Sequence, residues 1–176
     1  MKFSKSPLIP PSMFENRSVG LILAIAFLIG NCFFTVSFYV PTFFQLVWGE
    51  SATIAGLESI PLLFGVVGLS IASGISISVT GRYKMWFFIG PVFSIVGMAF
   101  LTTLRLNTSR VAEVFYLLLC GIGLGSLVQV FTLAIQASVE KRNIAVATST
   151  SVFMLNLGGC FGVAIGISLF KSKTPY

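Results

Sequence analysis

One acidic residue, Glu58, lies inside a long apolar stretch of the chain. If that stretch crosses a membrane, a charged side chain there costs about 2.5 kcal/mol or more, so such residues are often functional. A carboxyl group in this position could take up and release a proton, which makes Glu58 a candidate proton-coupling residue. The alternative is that Glu58 lies about two turns from the outer end of its helix and reaches water there.

Polar side chains recur along the first apolar stretch at helical spacing. At about 100° per residue they share one helix face, and they are Asn31, Thr35, Tyr39, Thr42 and Gln45. Polar groups in a membrane helix usually face protein or a water-filled cavity. They are candidates for a substrate-facing wall, in which Tyr39 would offer a ring to a flat or cationic solute. The alternative is hydrogen bonding between helices, at about 0.6 kcal/mol per bond.

Two later stretches combine small and polar residues. Around residues 114–137 one arc holds Gly121, Gly125, Ser126, Gln129, Thr132 and Gln136. Its glycines would permit close helix packing, whereas Gln129 and Gln136 are further substrate-facing candidates. In the last apolar stretch Gly158, Gly162 and Gly166 recur every fourth residue, a pattern that lets helix backbones touch in lipid.

The sequence offers no set of residues typical of an enzyme. It has no histidine, no nucleophile beside a base, no paired carboxylates and no phosphate-binding loop. The three cysteines have no partner at metal-ligand spacing, so we expect no metal and no cofactor. The net charge of +6 reflects cations that cluster at the ends of apolar stretches, which favours membrane anchoring over nucleic acid as the partner.

Composition indicates that the solvent for these helices is lipid. The chain is 56% hydrophobic and 9% charged, whereas a soluble domain carries about 25% charged residues. Lipid-facing backbone must satisfy its own hydrogen bonds, and the apolar stretches do not alternate as barrel strands do. We therefore predict an all-α, multi-pass membrane protein.

Five apolar segments are long enough to be membrane-spanning helices. They cover residues 18–47, 52–79, 86–104, 114–137 and 144–170, between an N-terminal tail of residues 1–17 and a C-terminal tail of residues 171–176. Proline interrupts three of them, and we expect a kink at Pro41.

The distribution of cations predicts the orientation. The tight turn at residues 80–85 carries Arg82 and Lys84 and no acid, which is typical of a cytoplasmic loop. With that turn and the N-terminal tail in the cytoplasm, seven cations lie inside: Lys2, Lys5, Arg17, Arg82, Lys84, Lys141 and Arg142. Four lie outside: Arg105, Arg110, Lys171 and Lys173.

Several short stretches give the chain a family resemblance. These stretches are Pro7-Leu-Ile-Pro10, Phe14-Glu-Asn-Arg-Ser18, Phe38-Tyr-Val-Pro-Thr-Phe-Phe-Gln45, Ala55-Gly-Leu-Glu-Ser-Ile-Pro61, Gly121-Ile-Gly-Leu-Gly125 and Leu157-Gly-Gly-Cys-Phe-Gly162. On these motifs the chain resembles the C-terminal half of a major facilitator superfamily transporter, in particular the fungal drug:proton antiporters with fourteen spans. The motifs occur in that family's order and at its spacing. The likeness covers nearly the whole chain.

The resemblance also gives the turn at residues 80–85 a role. Gly74, Gly81, Arg82 and Lys84 look like the second-half copy of the family's cytoplasmic loop motif, with Ser78 where the family has an acid. A complete member has two six-helix halves and transports between them. Five spans would make this chain an incomplete half, which lacks the first half with its proton-coupling residues and the last helix.

The function implied by the resemblance is proton-coupled efflux of a small amphipathic molecule such as a drug, toxin or secondary metabolite. The expected partners are the lipid bilayer, a small-molecule substrate, protons and a second membrane chain. The expected location is the plasma membrane or the vacuolar membrane. The alternative is a truncated membrane protein that does not transport, or a subunit that pairs with another chain.

Overall fold

The structure is a computed structural model that describes residues 17–81, 83–104 and 109–173. It contains helices α1 (Arg17–Val47), α2 (Ala52–Glu58), α3 (Ile60–Thr80), α4 (Tyr83–Leu101), α5 (Arg110–Ala137) and α6 (Ile144–Lys173), with a 3₁₀ turn at Lys141–Asn143. All regular elements of the described residues are helical. The expectations for residues 1–16, Arg82, Arg105 and residues 174–176 lie outside the described residues.

Most of the helical segments are long enough to cross a bilayer. Among the described residues four segments have the required length and hydropathy: Arg17–Val47, Ala52–Thr80, Arg110–Ala137 and Lys141–Leu169. The helix α4 is shorter, at 19 residues, and ends three residues before the predicted end at residue 104. The helix α5 begins four residues before the predicted start at residue 114, because Ser109 caps it by accepting a hydrogen bond from the Ala112 amide.

The predicted second span is two helices in the structure. The helix α2 ends at Glu58 and α3 begins at Ile60, so Ser59 interrupts the segment predicted at residues 52–79. Pro61 explains the break, since it has no N–H to donate to the Leu57 carbonyl and its ring crowds the preceding turn. The Ser59 hydroxyl at the break donates to the Ala55 carbonyl at 2.9 Å.

The helices form two groups that meet along α1 and α5. The helix α1 packs along α6, and α5 packs along both α3 and α4. Where the groups meet, one cluster of buried side chains lies near the start of α1, and it includes Val19, Leu23 and Ile135. A second cluster lies where α1 ends and α5 begins, and it includes Phe44, Leu62 and Leu117. We call this second region the Arg110 end of the bundle and the opposite region the Gly81 end.

Glycines set the helix contacts in both groups. An added Cβ at Gly121 would overlap the Leu62 carbonyl of α3, and one at Gly125 would overlap the Val66 carbonyl. On α6, an added Cβ would overlap the Phe27 carbonyl at Gly158, the Asn31 carbonyl at Gly162 and the Tyr39 ring at Gly166. All five glycines singled out for packing therefore lie where a neighbouring helix leaves no room for a side chain.

Gly81 ends α3 in the left-handed conformation, with φ of 66°. Its amide donates to the Ile77 carbonyl at 2.8 Å, so the glycine closes the last turn of the helix. We expect Gly81→Ala to lower the free energy of unfolding by about 1–2 kcal/mol, because an L-residue is strained in this region. Unfolding by SDS in mixed micelles, followed by circular dichroism, would measure the loss. Gly20→Ala is the control, since Gly20 is helical and has no atom within 4 Å of the added Cβ.

Candidate functional site

Three acidic side chains converge on one guanidinium at the Arg110 end. Arg110, the first residue of α5, donates to Glu50 at 2.6 Å and forms a close ion pair with Glu58. The Oε2 atom of Glu113 lies 3.8 Å from the same guanidinium. These acids come from the loop after α1, the end of α2 and the first turn of α5. We call Arg110, Glu50, Glu58 and Glu113 the charge cluster.

The charge cluster rests on aromatic side chains of α1 and the following loop. The Arg110 guanidinium lies 4.9 Å from the centre of the Trp48 ring, within the range of a cation–π contact. Trp48 in turn stacks on Phe44, with 5.1 Å between ring centroids. Phe44 is fully buried, so the core of the bundle holds the tryptophan in place.

Sequence reasoning did not find this cluster. It took Glu58 as the one acid well inside a span, yet Glu113 lies inside α5 with only 2% of its side chain exposed. The prediction missed Glu113 because the charges of Arg110 and Glu113 made the apolar segment appear to begin at residue 114. Glu58 is paired with Arg110, and 17% of its side chain is exposed.

Three of the four substrate-facing candidates of α1 meet α6. The Asn31 main-chain carbonyl and the Thr35 hydroxyl contact the position of Gly162, and the Tyr39 ring contacts the position of Gly166. The Tyr39 hydroxyl donates to the Val163 carbonyl of α6 at 3.1 Å. The Thr35 hydroxyl is buried with no hydrogen-bond partner among the described residues.

Two of these residues also line a cavity between α1 and the end of α4. The cavity has a volume of about 200 Å³. Its walls are Thr35, Val36, Tyr39, Val40, Phe43, Phe44, Leu101 and Leu104. An apolar chamber with a few polar groups suits a small molecule that is mostly apolar.

The hydrogen bond from Tyr39 to α6 should contribute measurably to the free energy of unfolding. We expect Tyr39→Phe to lower the free energy of unfolding by about 0.6 kcal/mol, the mean for one hydrogen bond between membrane helices. SDS unfolding would detect the change. Thr42→Val is the comparison, because the Thr42 hydroxyl bonds only to the Phe38 carbonyl of its own helix. An equal loss for both variants would contradict an interhelical role for Tyr39.

The remaining candidates do not join this site. Gln45 is exposed and donates to the Pro41 carbonyl of its own helix at 3.2 Å. Gln129 faces Gly74 across the contact between α3 and α5, in an open groove of about 400 Å³ that Ser70 and Ser78 also line. Gln136 is half-buried and is the second-to-last residue of α5. The six substrate-facing candidates therefore fall into several places along the bundle.

The loop motif is described only in part. Gly74 lies inside α3, and Gly81 closes that helix. Arg82 and the Lys84 side chain lie outside the described residues. Within the described part of the chain, no group of three or more His, Cys, Asp or Glu side chains has the geometry of a metal site.

Comparison with known proteins accounts for this arrangement of apolar helices. The model of the Major Facilitator Superfamily matches residues 2–163. The MFS-type efflux pump MFS1 of Arthroderma benhamiae is 34% identical over 167 residues, which are 95% of this chain and 31% of that pump. The MFS transporter L2 of Phoma sp. is 33% identical over 98% of this chain and 29% of its own length. The Multidrug transporter protein MdtP of Bacillus subtilis is 31% identical over 92% of this chain and 30% of its own length.

These matches confirm the family resemblance, the all-α multi-pass fold and the integral membrane location that the sequence predicts. The relatives are named as transporters or efflux pumps rather than enzymes. The chain spans about 30% of the length of these relatives. Since the family model covers most of its 176 residues, this chain belongs to the major facilitator superfamily.

Proposed function

We propose that this chain is part of a transporter that exports small amphipathic molecules in exchange for protons. The observation that carries the proposal is the match with named efflux pumps along 95% of the chain. Alternating access in this family of folds relies on two helical halves that move about a central site. This chain would supply one wall of that site, in the plasma membrane or the vacuolar membrane.

The cavity beside α1 supports an amphipathic substrate. Its lining is mainly aliphatic and aromatic, and the hydroxyls of Thr35 and Tyr39 are its polar groups. The buried Thr35 hydroxyl has no partner among the described residues, so a bound molecule could supply one. A volume of about 200 Å³ is smaller than that of most drug sites, as expected if other helices complete the wall.

Proton coupling is proposed for Glu58 because of its surroundings. It shares the Arg110 guanidinium with Glu50 and Glu113, so the three acids compete for one cation. Adding a proton to one of them relieves repulsion among the others. Protonation of Glu58 would also loosen the link between α2 and α5.

A chimera would test the transport proposal. The 176 residues replace the aligned part of the MFS1 efflux pump of Trichophyton rubrum, which is 34% identical over 167 residues. We expect the chimera to expel a fluorescent amphipathic dye from cells, and a protonophore to stop it. Tyr39→Ala should slow efflux about tenfold, whereas Phe38→Ala should not, since Phe38 is 51% exposed beside Tyr39. A chimera that inserts correctly but expels no dye would contradict the proposal.

The second candidate function is that of a membrane subunit that does not transport by itself. The chain spans about 30% of the length of the relatives that it matches. Liposomes that contain this chain alone distinguish the two functions. Dye movement driven by a pH gradient would contradict the subunit function, and Glu58→Gln should then remove the pH dependence. If Glu58→Gln keeps that dependence, Glu58 does not couple protons.

A further inference from the structure

The charge cluster holds more negative charge than its one cation can balance. Three carboxylates surround a single guanidinium, which leaves two negative charges when all are ionised. The side chains of Glu50, Glu58 and Glu113 are 13%, 17% and 2% exposed. Because water screens buried charges poorly, this excess makes the cluster attractive to cations.

Arg110 covers the acids from the solvent side. Its side chain is 60% exposed, far more than any acid it contacts. Its guanidinium nitrogens pair with carboxylates, and its central carbon lies 4.9 Å from the centre of the Trp48 ring. Carboxylates combined with an aromatic face are the groups that recognise organic cations. Arg110 therefore demonstrates, with its own side chain, that a planar cation fits this position.

Glu113 adds an independent observation. It is 98% buried by side-chain area, and its Oε2 atom points at the guanidinium from 3.8 Å, too far for a hydrogen bond. That oxygen has no hydrogen-bond partner among the described residues, and neither has one oxygen each of Glu50 and Glu58. A buried carboxylate oxygen without a hydrogen-bond partner is unfavourable, so each of the three acids has one acceptor oxygen that Arg110 leaves without a hydrogen bond.

We propose that the charge cluster and Trp48 form a binding site for an organic cation, in which an incoming guanidinium or ammonium group takes the place of the Arg110 side chain. Arg110 competes as a tethered occupant and moves into solvent when the ligand binds. Binding itself does not depend on the proposed function. The physiological role does, since an exporter with its 80–85 turn in the cytoplasm would carry this site on the side where substrate is released.

Trp48 allows binding to be measured without transport. Trp86→Phe removes the only other tryptophan of the chain, so fluorescence in maltoside micelles then comes from Trp48 alone. Methylguanidinium is the probe, and sodium chloride at equal ionic strength is the control. We expect methylguanidinium to change the emission in a saturable manner and sodium chloride to leave it unchanged.

Variants of the cluster should act in opposite directions. We expect Arg110→Gln to tighten methylguanidinium binding about tenfold or more, because it removes a tethered competitor. Glu113→Gln should weaken binding about tenfold, since it removes a charge while keeping the volume. Glu140→Gln is the matched control, because Glu140 is exposed and lies at the Gly81 end. Circular dichroism checks that each variant is folded.

The outcomes separate this inference from the proposed function. Unchanged or weaker binding in folded Arg110→Gln, or full binding in Glu113→Gln, would overturn the cation site even if the chimera expels dye. A response of Trp48 to pH but not to methylguanidinium would also overturn it and assign the site to protons. Soluble phosphocholine is a second probe: if it binds as well, the site takes lipid headgroups, and if methylguanidinium alone binds, the site takes solutes.

Discussion

Replacing Gly125 by alanine is expected to separate α5 from α3. The added methyl group would overlap the carbonyl oxygen, carbonyl carbon and Cα of Val66. These are backbone atoms, so no side chain can rotate to make room. Overpacking of this kind costs about 1–3 kcal/mol and sometimes more, against a gain of up to about 1 kcal/mol that alanine brings to a helix. SDS unfolding in mixed micelles should show a net loss of about 1–2 kcal/mol.

The control is the same substitution in the partner helix. Gly68 lies in α3, and an added Cβ there meets no atom within 4 Å. Gly68→Ala should therefore be neutral or stabilise by up to about 1 kcal/mol. If Gly125→Ala is as stable as Gly68→Ala, the backbones of α3 and α5 are not in contact at this point.

Replacing Phe44 by alanine is expected to be the second large effect. Phe44 is fully buried among Ala55, Leu117 and Leu124 where α1, α2 and α5 meet. Its removal would leave a cavity and cost about 3–5 kcal/mol. It would also remove the ring on which Trp48 stacks, so Trp48 emission should change in the same variant.

A lipid-facing phenylalanine provides the comparison. Phe88 in α4 has 78% of its area exposed, and lipid chains can fill the space that its side chain leaves. We expect Phe88→Ala to change the free energy of unfolding by less than about 0.5 kcal/mol. A loss as large as that of Phe44→Ala would mean that Phe88 is covered by another helix.

The apolar stretches predicted the helices because a backbone surrounded by lipid has no water to bind and must form its own hydrogen bonds. A helix satisfies its own hydrogen bonds within one segment, so length and hydropathy were enough to find α1 and to bound it within one residue. The spacing of Gly158, Gly162 and Gly166 was also informative. A period of four places small residues on one face, and that face meets α1.

The charge cluster could not be predicted because it depends on packing between distant segments. Arg110 and Glu50 are 60 positions apart in sequence, and no local pattern relates them. Glu113 was missed for another reason. Hydropathy places the end of a span where charges occur, so it cannot recognise a buried acid that is paired with a neighbouring arginine. Periodicity likewise assigned Tyr39 to a polar face without indicating that α6 would receive its hydroxyl.

The glycines on two faces of α5 have an evolutionary consequence. Gly121 and Gly125 meet α3, while Gly123 meets Ser94 of α4, so close approach of the main chains helps to fix the packing of α3, α4 and α5. Residues elsewhere on their surfaces are then free to diverge without disturbing the scaffold. Relatives that share only about a third of their aligned residues with this chain can therefore keep the same packing of these three helices.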